Sequence, residues 1–134
     1  MSNEAEATGP LILFVDDSPV DRALIQRVLP KFNFKLIVAE NGERGISMAQ
    51  EKQPALILLD VILPRMSGVD VCKKLKADPL TKAIPVIFFS SIELPKEFFN
   101  FEETGAIDFV SKRHAPSEIA ARIAKALNIT LPTP

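Results

Sequence analysis

A single cysteine, Cys72, stands in the 134 residues, so an internal disulfide and a cysteine-built zinc site are both excluded. Long apolar runs are missing as well. The longest, such as Leu11–Val15 and Ala55–Leu59, reach five residues, against the roughly 20 needed to cross a bilayer. Neither charge is in excess: 16 basic and 17 acidic side chains leave a formal −1. With no positive field to gather nucleic acid or anionic lipid, neither is expected as a partner. The opening MSNEAEATGP lacks a basic n-region and an apolar h-region, which makes a cytoplasmic protein the expectation. Low-complexity tracts, solenoid repeats and long linkers are absent too.

What is present describes a single globular unit. Hydrophobic residues make up 47% and charged residues 25%, enough apolar surface for one core, and the length suits one domain. Eleven prolines divide the chain, because proline starts or ends an element more readily than it sits inside one. The expected organisation is a tail over 1–10, a domain over 11–127 and a tail over 128–134.

Leu11–Val15 is continuously apolar, as a strand buried on both faces must be. Asp17-Ser18-Pro19 then offers capping oxygens and a first-turn proline, predicting a helix to about Leu29 with Val20, Ala23, Leu24 and Val28 on its core face. Lys35–Ala39 reads as a second strand, and Asn41-Gly42 as the turn into a second helix ending before Pro54. Ala55–Leu59 is a third strand, ending on Asp60. Ser67 then caps a third helix whose inner face is Gly68, Val71, Cys72 and Leu75. Ile84–Phe89 is a fourth strand, Pro95 opens a fourth helix carrying Phe98, Phe99 and Phe101, and Ala106–Val110 is a fifth strand. Pro116 opens a last helix with Ile119, Ile123, Ala126 and Leu127 facing inward. Five nearly all-apolar strands alternating with five helices predict an α/β fold, a doubly wound parallel sheet with helices on both faces.

In such a sheet, ligands bind beyond the carboxyl ends of the strands. Those positions hold Asp16 and Asp17 after strand one, Asp60 after strand three, Ser90 and Ser91 at the end of strand four, and Lys112 after strand five. Each has an ordinary explanation alone, since aspartate often caps a helix and lysine is usually solvated. Capping does not explain why an acidic pair, an acid, a hydroxyl and a lysine each follow a different strand of one sheet. Three neighbouring carboxylates resist joint ionisation unless a cation compensates them, and an all-oxygen donor set suits Mg²⁺. A carboxylate beside Mg²⁺ and a lysine can act as nucleophile on a phosphoryl group. Asp60, expected on the central strand, is the natural acceptor.

The chain closely resembles the receiver domain of two-component response regulators. The resemblance rests on Phe14-Val15-Asp16-Asp17-Ser18-Pro19, Leu59-Asp60-Val61-Ile62-Leu63-Pro64-Arg65-Met66-Ser67-Gly68, Pro85-Val86-Ile87-Phe88-Phe89-Ser90-Ser91 and Gly105-Ala106-Ile107-Asp108-Phe109-Val110-Ser111-Lys112. It implies a flavodoxin-like fold with strand order 2-1-3-4-5. It also implies phosphorylation of Asp60 by a histidine kinase or histidine phosphotransfer protein, with Mg²⁺ held by Asp16, Asp17, Asp60 and the Ile62 carbonyl. By the same resemblance Lys112 pairs with the phosphoryl oxygens, and Ser90 and Phe109 form the switch. The signalling face, expected to include Phe99 and Phe109, would meet a target protein or a second copy. With the domain filling most of the chain, the expectation is a stand-alone switch; a relay intermediate or phosphate sink is the alternative.

Two departures from the family pattern stand out. Lys112 is followed by Arg113 rather than proline, so either a trans peptide with a rearranged loop or a strained cis bond is expected there. Ile62 and Ile92, two residues past the acceptor and the switch hydroxyl, are apolar and are expected to shield the phosphoryl group from water. His114, the only histidine, reads as a surface residue. An aspartate-nucleophile phosphatase would need a second aspartate where Ile62 stands, and a flavin-binding domain would need a glycine- and hydroxyl-rich loop where Asp16-Asp17-Ser18-Pro19 stands.

Overall fold

The computed structural model describes residues 7–92 and 100–132. The strands are β1 (Leu11–Val15), β2 (Lys35–Ala39), β3 (Leu56–Leu59), β4 (Val86–Ser90) and β5 (Asp108–Ser111). The α-helices are α1 (Pro19–Val28), α2 (Gly42–Lys52), α3 (Gly68–Ala77) and α4 (Pro116–Leu127), with short 3-10 helices at Leu29–Phe32 and Phe101–Thr104. Every strand pair is parallel and the order is β2-β1-β3-β4-β5, as expected. The strand order reverses between β1 and β3, which creates a switch point at their carboxyl ends, where Asp16 and Asp60 follow the strands.

Residues of one strand alternate between two cores, which explains why no position in β3 can be polar. Leu13, Val15, Ile57, Leu59, Val86 and Phe88 pack with Met48, Ala49, Val71, Cys72 and Leu75 of α2 and α3. Ile12, Phe14, Leu56, Leu58, Ile87 and Phe89 pack on the other face with Ile25, Leu29, Ile119, Ala120 and Ile123. The inner face expected of the third helix is thus the observed one.

Two expectations about helix faces need correction. In α1, Val20 is 76% exposed and Leu24 40% exposed, whereas Ile25 and Leu29 are buried. Both stripes carry apolar residues, and the inward one is the stripe that starts with Asp21, whose carboxylate reaches Lys112. In α4, Ala120 and Ala124 join Ile119 and Ile123 in the core, while Ala126 and Leu127 are only partly covered. The fourth and fifth strands run Val86–Ser90 and Asp108–Ser111, shifted toward the carboxyl side of the expected spans. The helix expected to open at Pro95, with Phe98 and Phe99, lies mostly outside the described residues. Phe101 begins a 3-10 helix capped by the Asn100 side chain.

Candidate functional site

The strands end together, so their following residues converge. The Asp16 amide donates to the Ala39 carbonyl at 3.0 Å, the Asp60 amide to the Val15 carbonyl at 3.0 Å, and the Lys112 amide to the Ser90 carbonyl at 2.9 Å. These bonds extend the sheet by one residue and aim Asp16, Asp60 and Lys112 at the same edge. Carboxylate oxygens of Asp16, Asp17 and Asp60 all lie within 4.8 Å of one another. Asp16 is 0% exposed and Asp60 6%, while Asp17 is exposed.

The backbone around the cluster is held tightly. Asp16 Oδ1 accepts the Ser18 amide at 2.9 Å, and the Asp16 carbonyl accepts Arg22 Nη1 at 2.9 Å. Asp60 Oδ1 accepts the Ile62 amide at 3.3 Å. Gly68 allows the β3–α3 loop to close on the acceptor strand: a Cβ there would sit 1.9 Å from the Asp60 carbonyl oxygen, so no larger residue fits without moving that backbone.

Lys112 Nζ is surrounded by carboxylates, at 2.6 Å from Asp16 Oδ2, 2.7 Å from Asp21 Oδ2 and 3.0 Å from Asp60 Oδ2. Burial pulls its pKa down, but the bonds to Asp16, Asp21 and Asp60 outweigh that and raise it above the ordinary lysine value. The Asp16 pKa is raised as well, for a different reason. Burial raises its pKa, and the contacts with Lys112 and the Ser18 amide only partly offset this. Asp16 Oδ2 is buried and has no directed hydrogen bond, so its contact with the ammonium is a charge pair off the hydrogen-bonding direction. A buried carboxylate oxygen without a donor, within a cluster of three acids, fits a hard divalent cation, and oxygen donors alone suit Mg²⁺.

Ser90 is buried at the end of β4, and its Oγ accepts the Ile92 amide at 3.3 Å. The Phe109 ring is half-buried and lies 6.3 Å from each of the Phe88 and Phe101 rings. Ile62 is 57% exposed on the loop after β3. Phe99 falls outside the described residues. No peptide bond is cis among the described residues, so Lys112–Arg113 is trans. The turn closes instead through the Arg113 amide on Ser111 Oγ and the His114 amide on the Ser111 carbonyl, both at 3.1 Å. His114 is exposed.

Asp21 and Arg22 are the members of this neighbourhood that sequence reasoning missed. An acid in a first helical turn reads as a partner for the helix dipole, and nothing local marks Asp21 as facing a lysine 91 residues away. The missed signal was the inward stripe Asp21, Ile25, Leu29, one turn apart each time.

A family model described as the response regulator receiver domain matches residues 12–124. The two-component response regulator ORR11 of Oryza sativa subsp. indica is 34% identical over 119 residues, covering 88% of this chain and 81% of that protein. The BeF3-activated N-terminal receiver domain of RstA from Klebsiella pneumoniae superposes with a TM-score of 0.80 at 28% identity, covering 87% of this chain and 97% of that one. The receiver domain of the sensor histidine kinase PA1611 from Pseudomonas aeruginosa PAO1, with a magnesium ion coordinated in its active-site cleft, has a TM-score of 0.83 at 21% identity. It covers 90% of this chain and 99% of its own, a likeness of fold.

Proposed function

The chain belongs to the receiver-domain family of two-component response regulators, and from that membership we propose that it accepts a phosphoryl group on Asp60 in a Mg²⁺-dependent reaction. The donor is a phosphohistidine of a histidine kinase or phosphotransfer protein. An Asp60 carboxylate oxygen attacks phosphorus, the O–P bond forms as the donor's P–N bond breaks, and the electron pair leaves on the imidazole nitrogen. Asp16, Asp17, Asp60 and the Ile62 carbonyl would hold Mg²⁺, which would supply positive charge to neutralise the phosphoryl oxygens. Lys112, 3.0 Å from Asp60 Oδ2, would donate to those oxygens.

The observation that carries this reading is the placement of Asp60. It is buried at the switch point, its oxygens lie within 4.8 Å of those of Asp16 and Asp17, and Lys112 Nζ stands 3.0 Å away. Activation of a related receiver by BeF3, at 28% identity, supports a phosphoryl-shaped ligand here. The Ser90 hydroxyl and the Phe109 ring are proposed as the switch, converting charge at Asp60 into a change at β4 and β5. The domain spans 11–127 in this reading and works as a cytoplasmic phospho-acceptor, signalling to a target protein or to a second copy.

The test is incubation with Mg²⁺ and a small phosphodonor, followed by intact mass and, with beryllium fluoride, by size exclusion. Wild type gains one phosphoryl group and Asp60→Asn gains none. A wild type without an Asp60-dependent adduct overturns the proposal.

A further inference from the structure

Lys112 Nζ lies within 3.0 Å of three carboxylates, donating to Asp21 and Asp60 and meeting Asp16 as a charge pair, and phosphorylation treats those partners differently. On the function proposed above, on which this inference rests, Asp60 becomes an acyl phosphate and Asp16 would turn its oxygens to the metal. Both contacts to Lys112 at 2.6 Å and 3.0 Å must then be given up or shared. Asp21, at 2.7 Å, is neither acceptor nor metal ligand. Its contact can persist from the resting protein through transfer.

Asp21 is also well placed to be a fixed point. Its amide caps onto Ser18 Oγ at 3.2 Å, leaving the carboxylate free of capping duty. The next residue, Arg22, ties α1 to the Asp16 carbonyl, and Ile25 and Leu29 on the same stripe are buried in the core. The helix therefore cannot roll without breaking packing. Helix-dipole compensation explains an acid in this turn, but not its reach to a lysine on the far side of the sheet order.

We infer that Asp21 is a positioning residue for the phosphoryl transfer: it anchors the Lys112 ammonium beside Asp60 while the other two partners change hands. A charge-assisted bond keeps one donor engaged on the α1 side, so the remaining donors point toward the oxygens of the incoming group. The competing effect is repulsion between the Asp21 carboxylate and the phosphoryl dianion, which predicts the opposite sign.

The experiment measures phosphorylation rate from a small phosphodonor with Mg²⁺, and beryllium fluoride affinity by calorimetry. Proteins are wild type, Asp21→Ala, Asp21→Asn, Lys112→Ala and the Asp21→Ala/Lys112→Ala double variant. Asp21→Ala lowers both quantities by roughly three- to tenfold, the size expected of a partly exposed charge-assisted bond. Asp21→Asn, which keeps an acceptor oxygen, recovers most of the loss. In the Lys112→Ala background, Asp21→Ala changes neither quantity. An Asp21→Ala protein as fast as wild type or faster overturns the inference, and so does an effect that survives without Lys112. Failure of wild type itself to gain an Asp60-dependent adduct sinks the acceptor reading as well, which separates the two. Thermal unfolding of each variant checks folding, and if Ala unfolds the test is carried by Asp21→Ser, whose side chain is too short to reach Lys112 and is expected to lower both quantities as Ala does.

Discussion

Ile62 stands two residues past Asp60 with its amide on Asp60 Oδ1 and its side chain 57% exposed. We propose that an apolar group there deprives in-line water of a polar partner beside the phosphoryl group. Ile62→Asn is therefore expected to shorten the lifetime of the phosphorylated protein several-fold, followed by intact mass over time. Because the side chain is largely exposed, the same variant should keep its stability to within about 0.5 kcal/mol. An unchanged lifetime removes the shielding idea. At this scale most of the site was legible: Asp16, Asp17, Asp60 and Lys112 each follow a strand, and the structure gathers them. Asp21 was not, because its partner lies 91 residues away and the only local trace is its spacing with Ile25 and Leu29.

Helix starts were the most readable elements. Ser18, Asn41 and Ser67 each accept an amide three residues on, at 3.2, 2.8 and 3.2 Å; the positions of the two serines imply caps, whereas Asn41, expected as a turn, proves to be a cap. Ser67 matters most, because α3 begins at Gly68, pressed on the Asp60 backbone. Ser67→Ala should cost about 1 kcal/mol in denaturant unfolding. A loss near zero would mean that Gly68 packing alone holds the start of α3. Helix faces were less readable. Periodicity in α1 offered two stripes, and choosing Val20 and Leu24 failed because burial is decided by what the helix packs against: Ile25 and Leu29 meet Phe14, Phe34 and Leu58 in one core. The trans Lys112–Arg113 turn was left open by sequence for a similar reason, since its closing bonds involve Ser111 in the folded loop.

Across the whole molecule, the cluster trades stability for binding. Burial raises the Asp16 pKa, so folding disfavours its charged form. Its contribution favours the native state below the ordinary carboxylate range and is lost as pH rises through the raised value. Lys112 is raised as well, and for a base the raised value is a gain kept through neutral pH and lost only in strong alkali. At neutral pH the two oppose each other, and the remaining acids repel. Asp17→Asn, which relieves repulsion at an exposed position, should raise the melting temperature without divalent ions by about 2–4 °C. Added Mg²⁺ should raise that of wild type further than that of the variant. Equal Mg²⁺ responses would argue against Asp17 as a ligand. The sequence by itself determined the parallel α/β architecture, the strand-end chemistry and the family, because two-sided burial forces apolar strands and parallel sheets present their carboxyl ends together. Only the tertiary structure decided which face of α1 turns inward, that Lys112 has three carboxylate partners rather than one, and that Asp16 Oδ2 lacks a donor. Those facts depend on how elements distant in sequence are seated on one another, and side-chain periodicity within an element does not encode that.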